Sequence, residues 1–222
     1  MKIEIWSDFV CPFCYIGKRN LDAAIQKFKI ENGQDIPLEI VYRSFELDTN
    51  AQKDGNLPAK EMLMKKYGLS AERATLTLED LTLTAKNAGL EYHMDCTIQT
   101  NTFDAHRLFQ YAKQQGYAEV LTERLFKAHF TEGLHIGDKN VLLELALEVG
   151  LMVDEVIQVL DGNAFHDEVR FDEKAAHDLG INGVPYFLID GKVAIYGAQP
   201  SESFLKAFQN VGKSDGMNSN VF

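Results

Sequence analysis

The stretch Ser7-Asp8-Phe9-Val10-Cys11-Pro12-Phe13-Cys14-Tyr15 decides the fold. Before it, Lys2-Ile3-Glu4-Ile5-Trp6 alternates apolar with polar residues, the period of a half-buried strand. After it, Ile16, Leu21, Ala24, Ile25 and Phe28 recur at helical spacing, and Gly33 stops the run. Cys11 therefore falls at or beside a helix N-terminus. Unpaired backbone N–H groups and the helix dipole favour an anion there, and a thiolate is such an anion. Pro12 suits the first turn, since the N–H it lacks would have had no intrahelical acceptor. Cys14 follows about one turn later, within reach of a mixed disulfide formed at Cys11. Strand, Cys-x-x-Cys and helix in that order read as a redox dithiol, with Cys11 as nucleophile and Cys14 as resolving thiol. Two other readings stay open on spacing alone. The pair is half of a zinc site, for which His93 and Cys96 are the best remaining donors, or it is two inert cysteines.

The chain has 222 residues, 45% of them hydrophobic, enough to bury the core of one elaborated domain or two intimate ones. Its formal net charge of −11, with no run of Lys or Arg to reverse the sign locally, argues against nucleic acid and anionic lipid as partners. No stretch reaches the ~18 apolar residues of a membrane span. The first residues already form the strand, without a basic n-region or an apolar h-region. Taken as complete, the chain is expected to be cytoplasmic, where a cysteine pair is catalytic more often than structural. Three cysteines also make no disulfide framework.

A second strand is expected over Leu38–Leu47, giving a βαβ unit with parallel strands and a right-handed crossover. Asp48 to Pro58 is polar, carries Gly55 and reads as a loop. From Pro58 to about Leu179 nothing reads as a strand. Helical faces follow one another over Met62–Tyr67, Ser70–Asn87, Thr100–Gln115, Tyr117–Phe130, Val141–Leu147, Val153–Leu160 and Ala164–Leu179. Glycines at 89, 116, 150, 162 and 180 punctuate them, Ser70 stands at an N-cap position, and Asp138 or Asn140 opens Val141–Leu147. The block is long enough for a helical subdomain with its own core. The strand period returns at Val184–Ile189, turns at Asp190-Gly191 and continues through Lys192–Tyr196. A last helix runs from Ser201 to Val211, and the small, polar tail after it is expected to fray. The expected architecture is α/β, with residues 1–50 and 181–222 forming one domain and 51–180 an inserted helical subdomain.

Strand-CPFC-helix, the Gly183-Val184-Pro185 turn and the C-terminal ββα unit together resemble the thioredoxin fold, βαβ then ββα. The large helical insertion resembles the DsbA family of thiol–disulfide oxidoreductases. Asn101-Thr102-Phe103-Asp104-Ala105-His106-Arg107-Leu108 and Gly197-Ala198-Gln199-Pro200 look like its FrnE-like subgroup of cytoplasmic dithiol–disulfide oxidoreductases. The resemblance implies that Cys11 is the exposed nucleophile, Cys14 the buried resolving thiol and Pro185 a cis-proline facing them. It further implies that Val184 offers backbone N–H and C=O to a bound peptide, and that the Asn101–Leu108 segment borders the groove, where Asn101 and His106 orient substrate or tune Cys11. Phe13, between the cysteines, joins the substrate contacts. It stands where better-known members carry a histidine or proline, so no imidazolium lies beside Cys11, and the expected potential falls between about −120 and −270 mV. The implied substrates are thiol- or disulfide-bearing proteins or small thiols. No resident cofactor or metal is implied, and glutathione is a candidate co-substrate.

The simpler reading of Asn101–Leu108 makes Asn101 or Thr100 a helix cap and His106 an ordinary half-buried residue. His93, His129, His135, His166 and His177 have no ligand spacing and read as surface or interhelical residues, and Cys96 as a loop thiol. Phe103, Phe109, Tyr111, Phe126 and Phe130 read as core. Two alternatives to a disulfide oxidoreductase remain. One is a glutathione-dependent transferase or isomerase of the kappa-class or hydroxychromene-carboxylate-isomerase kind, which generally carries serine at the position of Cys11 and needs no Cys14. The other is a redox-sensing or zinc-binding module built from Cys11, Cys14, His93 and Cys96.

Overall fold

The computed structural model describes residues 1–33, 37–53, 55 and 57–217, with side chains to 211. Expectations for residues 54 and 56 and for the tail beyond 217 fall outside them. Strand β1 (Lys2–Ser7) leads into helix α1 (Pro12–Asn32), and β2 (Glu39–Ser44) returns parallel to β1, from Lys2 opposite Glu39 to Ser7 opposite Ser44. At the far end of the chain, β5 (Tyr186–Ile189) lies antiparallel to β1 and β6 (Val193–Tyr196) antiparallel to β5. The sheet order β2-β1-β5-β6 therefore pairs the first strand with one nearly two hundred residues later. Its turn takes positive φ at both Asp190 (47°) and Gly191 (66°), as primed hairpin turns require. The ladder starts at Ile189 opposite Val193, one residue wider than a two-residue hairpin.

β2 stops at Ser44, three residues short of the expected Leu47. The following N–H groups leave the ladder for carboxylates: Glu46 donates to Glu173 Oε1 at 3.2 Å and Leu47 to Asp8 Oδ2 at 2.7 Å.

Among the described residues, seven helices come between the two halves of the sheet: α2 (Ala59–Tyr67), α3 (Ala71–Asn87), α4 (Phe103–Gln114), α5 (Ala118–Phe130), α6 (Lys139–Glu148), α7 (Val153–Asp161) and α8 (His166–Asp178). Ser70 caps α3 by accepting the Arg73 N–H, and Asp138 caps α6 by accepting those of Asn140 and Val141. The expectation of a strand-free block is corrected at one point. Leu57–Pro58 (β3) pairs antiparallel with Ile98–Gln99 (β4), a ladder two residues long and too short to carry a period in the sequence. Helix α9 runs from Ser201 to Met217.

The expectation of a separate helical core is also corrected. Ile3, Ile5 and Phe187 of the sheet belong to one continuous buried cluster with Leu121, Leu142 and Val156 of the insert. Polar contacts join the same parts. Asp172 of α8 accepts the Trp6 indole N–H through its carbonyl at 3.1 Å, and the Ser44 N–H and Gln110 amide through its carboxylate at 3.0 and 2.6 Å. Its other oxygen meets Arg43 at 2.9 Å. A buried carboxylate is tolerable here because each oxygen has a partner.

Candidate active site

The register that sets Trp6 opposite Tyr186 brings the chain leaving β1 beside Val184 and Pro185, which enter β5. The Val184–Pro185 bond is cis. Pro185 and Phe187 sit so close to α1 that a Cβ on Gly17 would lie 3.1 Å from a side-chain carbon of each. Cys11 is the N-cap of α1, with extended backbone (φ −87°, ψ 110°) and Pro12 in the first turn. Its Sγ donates to the Val184 carbonyl at 3.5 Å. The Cys11 N–H bonds the Asp8 carbonyl at 3.1 Å, the Cys14 N–H bonds the Cys11 carbonyl at 3.0 Å, and the Tyr92 hydroxyl donates to the Pro12 carbonyl at 2.8 Å. The turn that carries the dithiol is thus held from β1, β5 and the segment after α3.

Cys14 lies beneath, 2% exposed. Burial, reinforced by the Cys11 sulfur beside it, holds its thiol well above the ordinary cysteine range, while the Ser7 hydroxyl and the Asp8 N–H pull the other way. Such a thiol stays protonated and nearly inert until a neighbouring sulfur becomes electrophilic, which is what a resolving cysteine needs. Cys11 opens instead onto a groove of about 960 Å³, whose floor includes Val10, Phe13 and Val184 and whose roof carries Met62 and Leu63 of α2 and Leu78 and Leu81 of α3.

A family model described as DSBA-like thioredoxin domain matches residues 2–209. The chain belongs to that family. The Bacillus subtilis (strain 168) protein YwbO is 30% identical over 218 residues, spanning 96% of this chain and 98% of its own. The probable DsbA oxidoreductase SCO1869 from Streptomyces coelicolor is similar at 40% identity and a TM-score of 0.89, over 95% of this chain and 89% of that one. The fold is shared with the cytosolic disulfide reductase DsbM of Pseudomonas aeruginosa, solved with GSH (18% identity, TM-score 0.64, 95% and 100% coverage). It is shared equally with a 2-hydroxychromene-2-carboxylate isomerase (19% identity, TM-score 0.65, 99% and 98% coverage). The last pair shows that a DSBA-like fold does not by itself choose a reaction.

In this DSBA-like chain Cys11, Cys14, Val184 and Pro185 come together. The resemblance implied an exposed nucleophile, whereas Cys11 is only 4% exposed, in the lining of a groove that α2 and α3 also line. Phe13 stands at the groove rim, half exposed. Asn101 and His106 are buried side chains outside the groove lining. Asn101 accepts the Phe103 N–H at 3.0 Å, closing the entry to α4, and its amide donates to Glu46 at 3.3 Å. His106 sits behind Asp8, its Nε2 3.3 Å from Oδ1. His93 bonds the Thr131 carbonyl and Glu91. Cys96 is an exposed free thiol beside Gly133. Among the described residues no three His, Cys, Asp or Glu side chains group to hold a metal, and no helix is long and apolar enough to cross a membrane. Sequence reasoning passes over Asp8 and Tyr92. Asp8 has a faint signal, a carboxylate ending an otherwise apolar strand exit three residues before Cys11. Tyr92 has none.

Proposed function

We propose that this chain is a thiol–disulfide oxidoreductase or isomerase of the FrnE-like kind. Cys11 attacks a disulfide, a mixed disulfide forms, and Cys14 resolves it. The observation that carries the reading is the Cys11 sulfur, at a helix N-terminus and open to the groove, with Cys14 sealed beneath it. In this mechanism the helix N-terminus favours the attacking thiolate. The Val184 carbonyl holds the Cys11 thiol at rest, and Val184, Pro185 and Phe13 flank an incoming substrate. Asn101 and His106 act through Glu46 and Asp8 rather than by touching it. The exchange needs no resident cofactor or metal, and small thiols, glutathione among them, fit the role of co-substrate. A cytoplasmic setting accords with the fold shared with a disulfide reductase described as cytosolic.

The test is single-turnover reduction of bis(2-hydroxyethyl) disulfide by pre-reduced protein carrying Cys96→Ser, which removes the exposed third thiol; this protein is the wild type of the comparison. The wild type should release two thiols per dithiol. Cys11→Ser should release none, and Cys14→Ser should stop at a covalent adduct seen by mass. Equal release by all three proteins would overturn the mechanism. The isomerase alternative has no use for Cys14, so under that reading Cys14→Ser would behave as wild type.

A further inference from the structure

The dithiol opens into a covered space rather than onto a flat surface. Three features of that cover bear on what can reach it. First, the groove holds about 960 Å³, the size of a small-molecule site rather than of a protein-docking surface. Second, its roof is apolar and adaptable: Met62, Leu63, Leu78 and Leu81 point in from above, and Met94 and Phe130 close the inner end. Methionine and leucine side chains of this kind mould to apolar bodies of varied outline. Third, the roof is seated on the core: Ala59 of α2 and Ala74 and Ala85 of α3 are buried, and Leu78 and Leu81 pack against the core from partly buried positions.

Some polar groups of the lining are engaged already: Asp8 is held by His106 and the Leu47 N–H, while Asp48 meets Lys66 at 3.5 Å and accepts the Asn50 N–H at 3.1 Å. Lys65, Asp80 and Gln99 line the groove as well, but the lining residues that adjoin Cys11 in the chain or touch its sulfur are Val10, Pro12, Phe13 and Val184, which offer hydrocarbon side chains.

We infer that the preferred substrates of this site are low-molecular-weight disulfides with apolar substituents. The inference deepens the dithiol reading and rests on it. Folded proteins are disfavoured by the roof, and polar peptides such as oxidised glutathione by the hydrocarbon around Cys11. The chemistry balances within the pair. The Cys11 thiolate attacks one sulfur of R–S–S–R, the Cys11–S–R bond forms and one thiolate leaves. The Cys14 sulfur then attacks Cys11, the protein disulfide closes, and the second thiolate leaves. The dithiol gives up two electrons, and its two protons go to the two departing thiols. A thiol reductant returns the pair to the reduced form.

The experiment follows single turnovers of pre-reduced protein, with the exposed Cys96 replaced by serine, on dibutyl disulfide, bis(2-hydroxyethyl) disulfide, oxidised glutathione and insulin. Each rate is divided by that of free dithiothreitol with the same disulfide, which removes differences in leaving-group acidity. The normalised rate for dibutyl disulfide should exceed the other three by about tenfold or more, the scale on which burying a few methylene groups acts. In Met62→Gln and Leu81→Gln, two separate roof positions each checked by thermal melting, the ratio of dibutyl to hydroxyethyl rates should fall toward one. Equal normalised rates in the wild type, faster reaction with glutathione disulfide or insulin, or an unchanged ratio in both folded variants would overturn the inference while leaving the dithiol standing. No reaction with any disulfide would sink the dithiol reading, and this inference with it.

Discussion

Oδ1 of Asp8 stands 3.3 Å from Nε2 of His106, both side chains buried, on residues 98 apart in the sequence. Through its backbone Asp8 also accepts the Cys11 N–H, so a buried acid–imidazole pair sits directly behind the dithiol turn. The imidazole leans on Phe9, with ring centroids 4.7 Å apart, and its Nδ1 is buried without a hydrogen-bond partner. The Asp8 carboxylate has one further partner, the Leu47 N–H at 2.7 Å.

Removing the imidazole should therefore be costly. In His106→Leu the carboxylate stays buried with a single donor, and leaving a buried acceptor short of a partner costs about 1–3 kcal/mol. Urea unfolding should show the midpoint falling with an unchanged slope. Asp8→Asn combined with His106→Leu should lose less than the two single losses added together, since the second change removes the stranded charge. Simple additivity would mean that the two side chains do not interact.

His129 supplies a pH dependence of known sign. Its ring is fully buried among apolar neighbours, with Phe130 against it at 4.6 Å, and neither ring nitrogen finds a partner. Burial pushes its pKa down from 6.5 to about 4, with His135 adding to the effect and Asp8 opposing it. The folded chain keeps this histidine neutral where the unfolded chain protonates it. Stability from this group is thus complete above about pH 6.5 and is lost as pH falls toward 4, about 3 kcal/mol in all. Urea midpoints at pH 7.5, 6, 5 and 4.5 should decline more steeply for wild type than for His129→Leu. Parallel curves would show that the ring is not shielded from water.

Gly17 is a packing requirement rather than a turn requirement. Alanine in place of a mid-helix glycine normally gains up to about 1 kcal/mol in propensity. Here the new methyl would meet Phe187 and Pro185 at 3.1 Å, and Phe187 is fully buried with its ring wedged against Phe204 at 4.8 Å. Neither can retreat, so overpacking at about 1–3 kcal/mol should outweigh the propensity gain. Gly17→Ala should melt lower than wild type and react more slowly at Cys11, because α1 is levered away from Val184. A higher melting temperature would show that β5 yields.

The signals that made the sheet and the dithiol readable were local ones. β1 shows a period of two, the cysteines stand three apart before a helical pattern, and Asp190-Gly191 marks a turn. Ser70 announces its helix because a cap acts within three residues, and the same signal narrows the start of α6 to Asp138 or Asn140, of which Asp138 is the cap. What stayed hidden depends on distance in space. Nothing near Asp8 says that His106 will meet it, and the Tyr92 hydroxyl reaches Pro12 across 80 positions. The roof was invisible for a related reason. Helical spacing over Ser70–Asn87 marks a helix, but it does not tell that Leu78 and Leu81 will be only partly buried, on a helix that lines a groove as well as packing on the core. The main core shared by sheet and insert was obscured likewise, since helical periodicity reports that a face is buried but not what buries it.

Thiol labelling separates the three cysteines by environment. Cys96 is exposed, Cys11 lines the groove, and Cys14 is sealed, its thiol held well above the ordinary range by burial and by the neighbouring Cys11. Iodoacetamide on the native, reduced protein at pH 8 should modify Cys96 and Cys11 and leave Cys14 untouched. Unfolding in guanidinium should add the third label. Peptide mass mapping against time gives the order directly. Modification requires the thiolate, so a group kept protonated reacts more slowly by about tenfold for each unit its pKa stands above the solution pH. If Cys14 were labelled as fast as Cys11 in the folded chain, the two sulfurs would share one environment, and the division of labour between nucleophile and resolving thiol would have no physical basis.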